Sequence, residues 1–323
     1  MKILIIRLSS MGDIILTSPV ARCLKQRHPD AELHYLVKAP FVPLVECSPY
    51  VAKVHTLGPL ADTLTLLQSE HYDYVIDLQH NHRSSQLRRR LRCPSSTCRK
   101  EDLRRLWLVL TKRNILKHSH VVQRYLQAAA PLGISDDGLP LNLFYRTDSQ
   151  LQSHPLMQQS YVAIACGAQH TTKQIPPAQL RHLVQSIEAP IVLLGDESDG
   201  RRIAEALQPL PHRVLNLCGH TTLHQLAQWI DHAAVVIAAD TGIMHIAAAL
   251  QRPLVVVWGS TTPQLGFAPY RTDALNSEVP LPCRPCSKVG KEQCPRRHLR
   301  CLTDHPWTSI AHYVNQKCLG IKG

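Results

Sequence analysis

The chain has 323 residues, 44% of them hydrophobic, and carries a formal net charge of +12. That length suits two domains of about 150 residues each rather than one core. No apolar run approaches the roughly 18 residues of a membrane span, and Arg7 and Asp13 interrupt the N-terminal apolar stretch, which argues against a signal peptide and for a cytoplasmic protein.

The first apolar run, Lys2 to Arg7, reads as a buried parallel strand. A polar corner follows, Leu8-Ser9-Ser10-Met11-Gly12-Asp13, and then a helical stretch from Ile14 to Cys23, with Ser18 to Arg27 as its firmest part. Ser9, Ser10 and Gly12 allow a tight turn with exposed backbone N–H groups. Asp13 then falls at or just before a helix N-terminus, where the helix dipole favours a carboxylate by a few tenths to about 1 kcal/mol. Two readings of Asp13 stand at this point: a general base for an attacking hydroxyl, or a plain helix N-cap. Further strands are expected at Glu32 to Val37, Val54 to Thr56 and Tyr74 to Leu78, with a helix over Leu60 to Ser69. This alternation predicts a doubly wound parallel sheet.

From His80 to Ala130 the chain is polar and poorly periodic until a helix over Val121 to Ala130. Basic residues crowd Arg83 to Arg113, among them Arg88-Arg89-Arg90, Arg99-Lys100, Arg104-Arg105 and Lys112-Arg113. Such a run attracts nucleic acid, anionic lipid or a phosphorylated substrate, or is a solvated face. Only 5% of residues are aromatic and no stacking motif accompanies the run, which argues against nucleic acid. An acidic, membrane-embedded acceptor fits better, and with it a protein held peripherally at the inner membrane. Asp148 to Ser160 is polar and suits a linker between domains 1–155 and 156–323.

The alternation then restarts, with strands expected at Tyr161 to Ala165, Ile191 to Gly195, Val214 to Leu217, Ala234 to Ala239 and Leu254 to Trp258. Helices are expected over Pro177 to Ile187, Arg201 to Leu207 and Thr222 to Asp231, the last capped by Thr221, and a helix ends the chain. A second polar corner, Asp240-Thr241-Gly242-Ile243-Met244-His245, leads into a small-residue helix from Ile246 to Leu250. Thr241 and Gly242 let backbone amides approach a diphosphate at a helix start. Asp240 caps the helix or accepts from sugar hydroxyls; His245 either donates to a phosphate or packs internally. In the loop Cys166 to Lys173, Lys173 is a candidate point charge for a diphosphate. Two corners at the carboxyl ends of two sheets suggest two ligands meeting across a cleft, which points to a transferase.

Eleven cysteines in a cytoplasmic chain are expected to be mostly reduced. Cys283, Cys286, Cys294 and Cys301 cluster with His298, but only the first pair has zinc-like spacing, so no metal is assigned.

Taken together, Ile5-Ile6-Arg7-Leu8-Ser9-Ser10-Met11-Gly12-Asp13-Ile14-Ile15, Asn216-Leu217-Cys218-Gly219 and Asp240 to Leu250 with Arg252-Pro253-Leu254 through Trp258-Gly259-Ser260-Thr261 resemble the family nine glycosyltransferases, the ADP-heptose:lipopolysaccharide heptosyltransferases. The late segment Cys283-Arg284-Pro285-Cys286 with Cys294-Pro295 and Cys301 is similar to that of some members. The resemblance implies an α/β GT-B fold of two Rossmann-like domains, acceptor on the first and nucleotide-sugar on the second, and metal-independent inverting transfer of heptose from ADP-heptose to the lipopolysaccharide inner core, with no cofactor. It implies Asp13 as general base and Lys173, Thr241, Gly242 and His245 as the diphosphate site. Asp240 becomes a contact to the donor sugar. Ser9, Ser10 and Gly12, at the turn before Asp13, are expected to bind substrate. Two departures concern the donor: Gln174-Ile175-Pro176 replaces an aromatic before proline, and Gly195-Asp196-Glu197 lacks a double glycine.

Overall fold

The computed structural model describes residues 1–118 and 120–320. They group into two compact units, one formed by Met1–Glu101 and His118–Arg146, the other by Asp102–Lys117 and the chain from Thr147 onward.

The first unit follows the expected alternation. Strand β1 (Lys2–Ile6) leads through the short helix α1 (Met11–Ile15) to α2 (Ser18–Arg27), then β2 (Glu32–Val37), β3 (Lys53–Thr56), α3 (Leu60–Gln68) and β4 (Tyr74–Asp77). The sheet has the order β3-β2-β1-β4 and closes with β5 (Ser95–Thr97), all parallel. Ile3 to Ile6 are fully buried, as a central strand covered on both faces requires. The stretch read as poorly periodic contains α4 (His82–Leu91), β5 and α5 (Asp102–Thr111) before α6 (Val121–Ala129). Helix α4 escaped notice because it buries only Ser84 and Leu87; what starts it is the reciprocal pairing of Asn81 with Ser84. The basic run is divided between the units, with α4 in the first and α5 in the second.

In the second unit, Asp148–Ser160 is not bare linker: it holds α7 (Ser149–Gln152) and a 3₁₀ turn at Pro155–Gln158. Asp148 ties it to the side chains of Gln225 (2.9 Å) and Gln228 (2.8 Å). Then come β6 (Val162–Ala165), α8 (Pro177–Ser186), β7 (Ile191–Leu194), α9 (Glu197–Ala206), β8 (Val214–Asn216) and α10 (Leu223–His232). Next follow β9 (Val235–Ala239), α11 (Gly242–Ala249), β10 (Leu254–Trp258), β11 (Ala274–Glu278), α12 (Arg300–Thr303) and α13 (Trp307–Gly320). The six strands lie parallel in the order β11-β10-β9-β6-β7-β8.

Two boundaries move. Thr222, not Thr221, caps α10, because its hydroxyl reaches the Gln225 N–H while Gln225 returns a bond to the Thr222 N–H. Helix α11 begins at Gly242, four residues before the expected start, so Gly242 to His245 form its first turn, with Thr241 as N-cap and Asp240 just before it. Strand β11, which the sequence did not suggest, alternates too little: of its five residues only Ser277 is buried.

A buried ion pair fastens α2 to the segment after α6. Arg22 donates through Nε to Asp137 (2.6 Å) and through Nη1 to the Pro140 carbonyl (2.8 Å), and both side chains are almost fully buried. The hydrogen bond from Arg22, outweighing the opposite effect of burial, holds the Asp137 carboxyl down to about 2. A carboxyl lowered in the folded state contributes stability above its unfolded pKa of about 3.9, and that stability is lost as pH falls toward the folded value. Urea unfolding measured between pH 4 and pH 2 is therefore expected to show a loss of stability that is smaller by about 2 kcal/mol in Asp137→Asn than in the intact chain. Equal pH dependence in the variant would contradict this.

Candidate active site

At the first corner β1 ends in a polar knot. Ser10 is the N-cap of α1 and Asp13 its third residue, so the carboxylate sits inside the first turn. Asp13 Oδ2 is 2.8 Å from Arg7 Nη2 and accepts from Ser10 Oγ at 2.9 Å and from the Ser10 N–H at 3.3 Å. Tyr125 Oη donates to Asp13 Oδ1 at 3.3 Å. With α1 only five residues long, Arg7 rather than a helix dipole is the larger electrostatic partner.

Arg7 is itself rigid. It is 8% exposed, and Nε donates to the Ser9 carbonyl (2.9 Å) and Nη1 to the Leu78 carbonyl (2.7 Å). Burial, and then the nearby Asp13 carboxylate, push the Tyr125 phenol well above its ordinary value, so it remains a donor. Gln79 Oε1 accepts from the N–H groups of Leu8 (2.9 Å) and Ser9 (3.2 Å) and fixes the turn. The Asp13 side chain nonetheless stays 22% exposed, reachable by a substrate hydroxyl. Gly12 is buried within α1.

The second corner repeats the design. Asp240 Oδ2 is 2.9 Å from Lys173 Nζ and accepts from Thr261 Oγ1 at 2.8 Å. Both charged side chains are mostly buried, and an ammonium with three donors has directions left beyond Asp240. Thr241, the N-cap of α11, buries a hydroxyl oxygen that has no hydrogen-bond partner among the described residues. Gly242 opens the helix with no side chain to block its amides, and His245 lies one turn on, 4% exposed. The structure thus brings Lys173, Asp240, Thr241, Gly242 and His245 to one helix start, whose N–H groups favour an anion.

Several supporting residues gave little sign in the sequence. Thr172 Oγ1 meets Ser260 Oγ at 2.9 Å and accepts from the Lys291 N–H at 2.8 Å, pinning the Lys173 loop to the turn after β10. A Cβ on Gly259 would lie 2.3 Å from the Thr172 carbonyl, so only glycine allows that approach. Arg284 then clamps the turn, donating to the carbonyls of Gly259 (2.7 Å), Val279 (2.7 Å) and Thr261 (2.9 Å). The signal for Arg7 and Arg284 was a charge set within an apolar strand and within a Cys-x-Pro-Cys run.

Cys283, Cys286, Cys294 and Cys301 are free thiols, with Cys283 Sγ 3.8 Å from His298 Nε2. A different grouping in the first unit, His34, His55 and Glu70, brings ligand atoms within 4.8 Å of one another. There Glu70 is engaged by Lys2 (3.0 Å) and Lys53 (2.5 Å).

Residues 64–296 match the family described as Glycosyltransferase family 9 (heptosyltransferase). Lipopolysaccharide heptosyltransferase 3 of Escherichia coli (strain K12) is 25% identical over 280 residues, covering 77% of this chain and 80% of its own. The structure of E. coli ADP-heptose lps heptosyltransferase II superposes with a TM-score of 0.76 at 22% identity over 100% of both chains. That of E. coli heptosyltransferase WaaC with ADP-2-deoxy-2-fluoro heptose gives 0.68 at 24% identity over 87% of this chain and 94% of its own. The fold, two Rossmann-like parallel α/β units, is the GT-B fold of these structures.

Replacing Arg284 by Ala removes three buried charge-assisted bonds and is expected to cost about 3 kcal/mol of unfolding free energy, measured in urea. A loss under about 0.5 kcal/mol would show that the turn after β10 stands without its clamp.

Proposed function

Because the chain belongs to glycosyltransferase family 9, we propose that it transfers heptose from ADP-heptose to the inner core of a lipopolysaccharide, inverting the anomeric centre with Asp13 as general base. The observation that carries this is the Asp13 carboxylate, oriented by Arg7 and Ser10 at the end of β1 and still open to solvent. The acceptor hydroxyl attacks the anomeric carbon, its proton passes to Asp13, and the bond from that carbon to the diphosphate oxygen breaks. One carboxylate suffices, since a single displacement needs no second nucleophile.

The departing electron pair goes to ADP. The amides opening α11 at Gly242 and the Lys173 ammonium meet that charge, so neither a metal nor a cofactor is required for it. Thr241 Oγ1, buried and unpartnered among the described residues, is a further donor for the phosphate. Asp240, held by Thr261, accepts from hydroxyls of the donor sugar. Arg7 balances the Asp13 charge and Tyr125 keeps a donor on its second oxygen. His245, buried beneath the corner, is a second-line contact to the diphosphate.

Gln174, whose amide donates to the Ala168 carbonyl at 2.8 Å, favours a second reading in which the donor is another nucleotide-sugar. The two separate on a donor screen. ADP release from ADP-heptose with a lipopolysaccharide-precursor acceptor is expected to be acceptor-dependent and to exceed release from other nucleotide-sugars. In Asp13→Ala it is expected to fall by about a hundredfold or more with ADP binding kept. Equal turnover by both proteins would sink the role of Asp13, and donor binding without turnover by the intact chain would make it a noncatalytic binder. Lys173→Ala is expected to weaken ADP binding by about tenfold in calorimetry, the share of one charge-assisted bond; unchanged affinity would remove Lys173 from the diphosphate site.

A further inference from the structure

Helix α5 is built inside out. Its inward residues include Arg105, which donates to the Leu265 carbonyl at 3.0 Å and lies 4.5 Å over the Phe267 ring, and Leu108, fully buried. Just past its end, Lys112 donates to the Pro285 carbonyl at 2.6 Å. The outward face carries Leu103 (83% exposed), Leu106 (42%), Trp107 (48%) and Leu110 (70%). Those four positions are spaced by three, one and three residues, which is one stripe of an α-helix. A helix serving only its own unit would turn that stripe inward and its cations to water. Here the cations hold the helix on, and the apolar stripe faces out.

We propose that this face of α5 is a docking surface for an anionic lipid bilayer, with the helix lying in the plane of the headgroups and the stripe below them. Charge complementarity selects the bilayer. Residues 102–117 hold five Lys and Arg against one acidic residue; Arg105 and Lys112 are used inward, and Arg113 and Lys117 are exposed just past the end of the helix. Apolar Leu and Trp on one side with cations at the margin is the composition of interfacial helices. No helix among the described residues is long and apolar enough to cross a membrane, so association through α5 is peripheral. The proposal stands on α5 and not on the identity of the sugar; it supplies the reading above with a way to meet a lipid-bound acceptor.

The chain carries its own reporter. Of its four tryptophans, Trp229, Trp258 and Trp307 are at most 7% exposed, so only Trp107 can change solvent on docking. Vesicles of phosphatidylglycerol and cardiolipin are expected to shift the full chain's fluorescence to the blue and to sediment with it, with phosphatidylcholine vesicles doing neither. Trp107→Phe is expected to lose the shift and keep the sedimentation. A triple variant, Leu103→Ser, Leu106→Ser and Leu110→Ser, is expected to lose at least tenfold in partition with its melting temperature kept, because the replaced groups are exposed. Its transfer to a delipidated, soluble acceptor is expected to be unchanged, so failure of the glycosyltransfer reading would show there and not in the vesicle assay. Three outcomes would overturn the proposal: no association with anionic vesicles, equal partition of the triple variant, or a blue shift that appears without vesicles as the chain dimerises, which would make the face a self-association surface.

Discussion

A parallel strand buried on both faces can satisfy its backbone only within the sheet, and it must end where the next helix begins. Both candidate corners follow from that constraint at two strand ends, β1 and β9. Ile3 to Ile6 of β1 and the whole of β9 are apolar and buried, and both strands release the chain into a polar turn. At each end the protein answers with an aspartate held by a cation and by hydroxyl donors, with Tyr125 a second hydroxyl on Asp13. Arg7 and Ser10 hold Asp13 at 2.8 and 2.9 Å; Lys173 and Thr261 hold Asp240 at 2.9 and 2.8 Å.

The two pairs differ in what they free for chemistry. Arg7 is locked by carbonyls on two sides, so it holds the Asp13 carboxylate in one place while that side chain stays partly exposed. At the second corner the cation comes from a separate loop, beside an N-cap hydroxyl left unpartnered among the described residues. One end thus presents an oriented carboxylate, and the other a helix start whose N–H groups favour an anion. Electrostatics of that kind contributes most where the groups are already oriented before the substrate arrives.

The sheets, most helices and both corners were legible because they depend on local pattern. Continuous apolar runs bounded by Ser, Gly, Asp and Thr specify a strand end and a helix start within a few residues. Arg22 with Asp137, Thr172 with Ser260 and Arg284 with the Gly259 turn were not legible, since each joins segments far apart in sequence and leaves no periodic trace. Helix α4 was missed for want of apolar residues. Helix α5 was missed because its arginines point the wrong way for a soluble helix, which is also what makes its outer face informative.

The transfer we propose is a single displacement at the anomeric carbon, run by one carboxylate and by charge stabilisation from the chain itself. It is read most directly in the anomeric configuration of the transferred sugar, by NMR on product made from ADP-heptose in the presence of EDTA. Turnover undiminished by the chelator and one anomer, opposite in configuration to the donor, are expected. A product of retained configuration, or turnover abolished by the chelator and restored by a divalent ion, would contradict it.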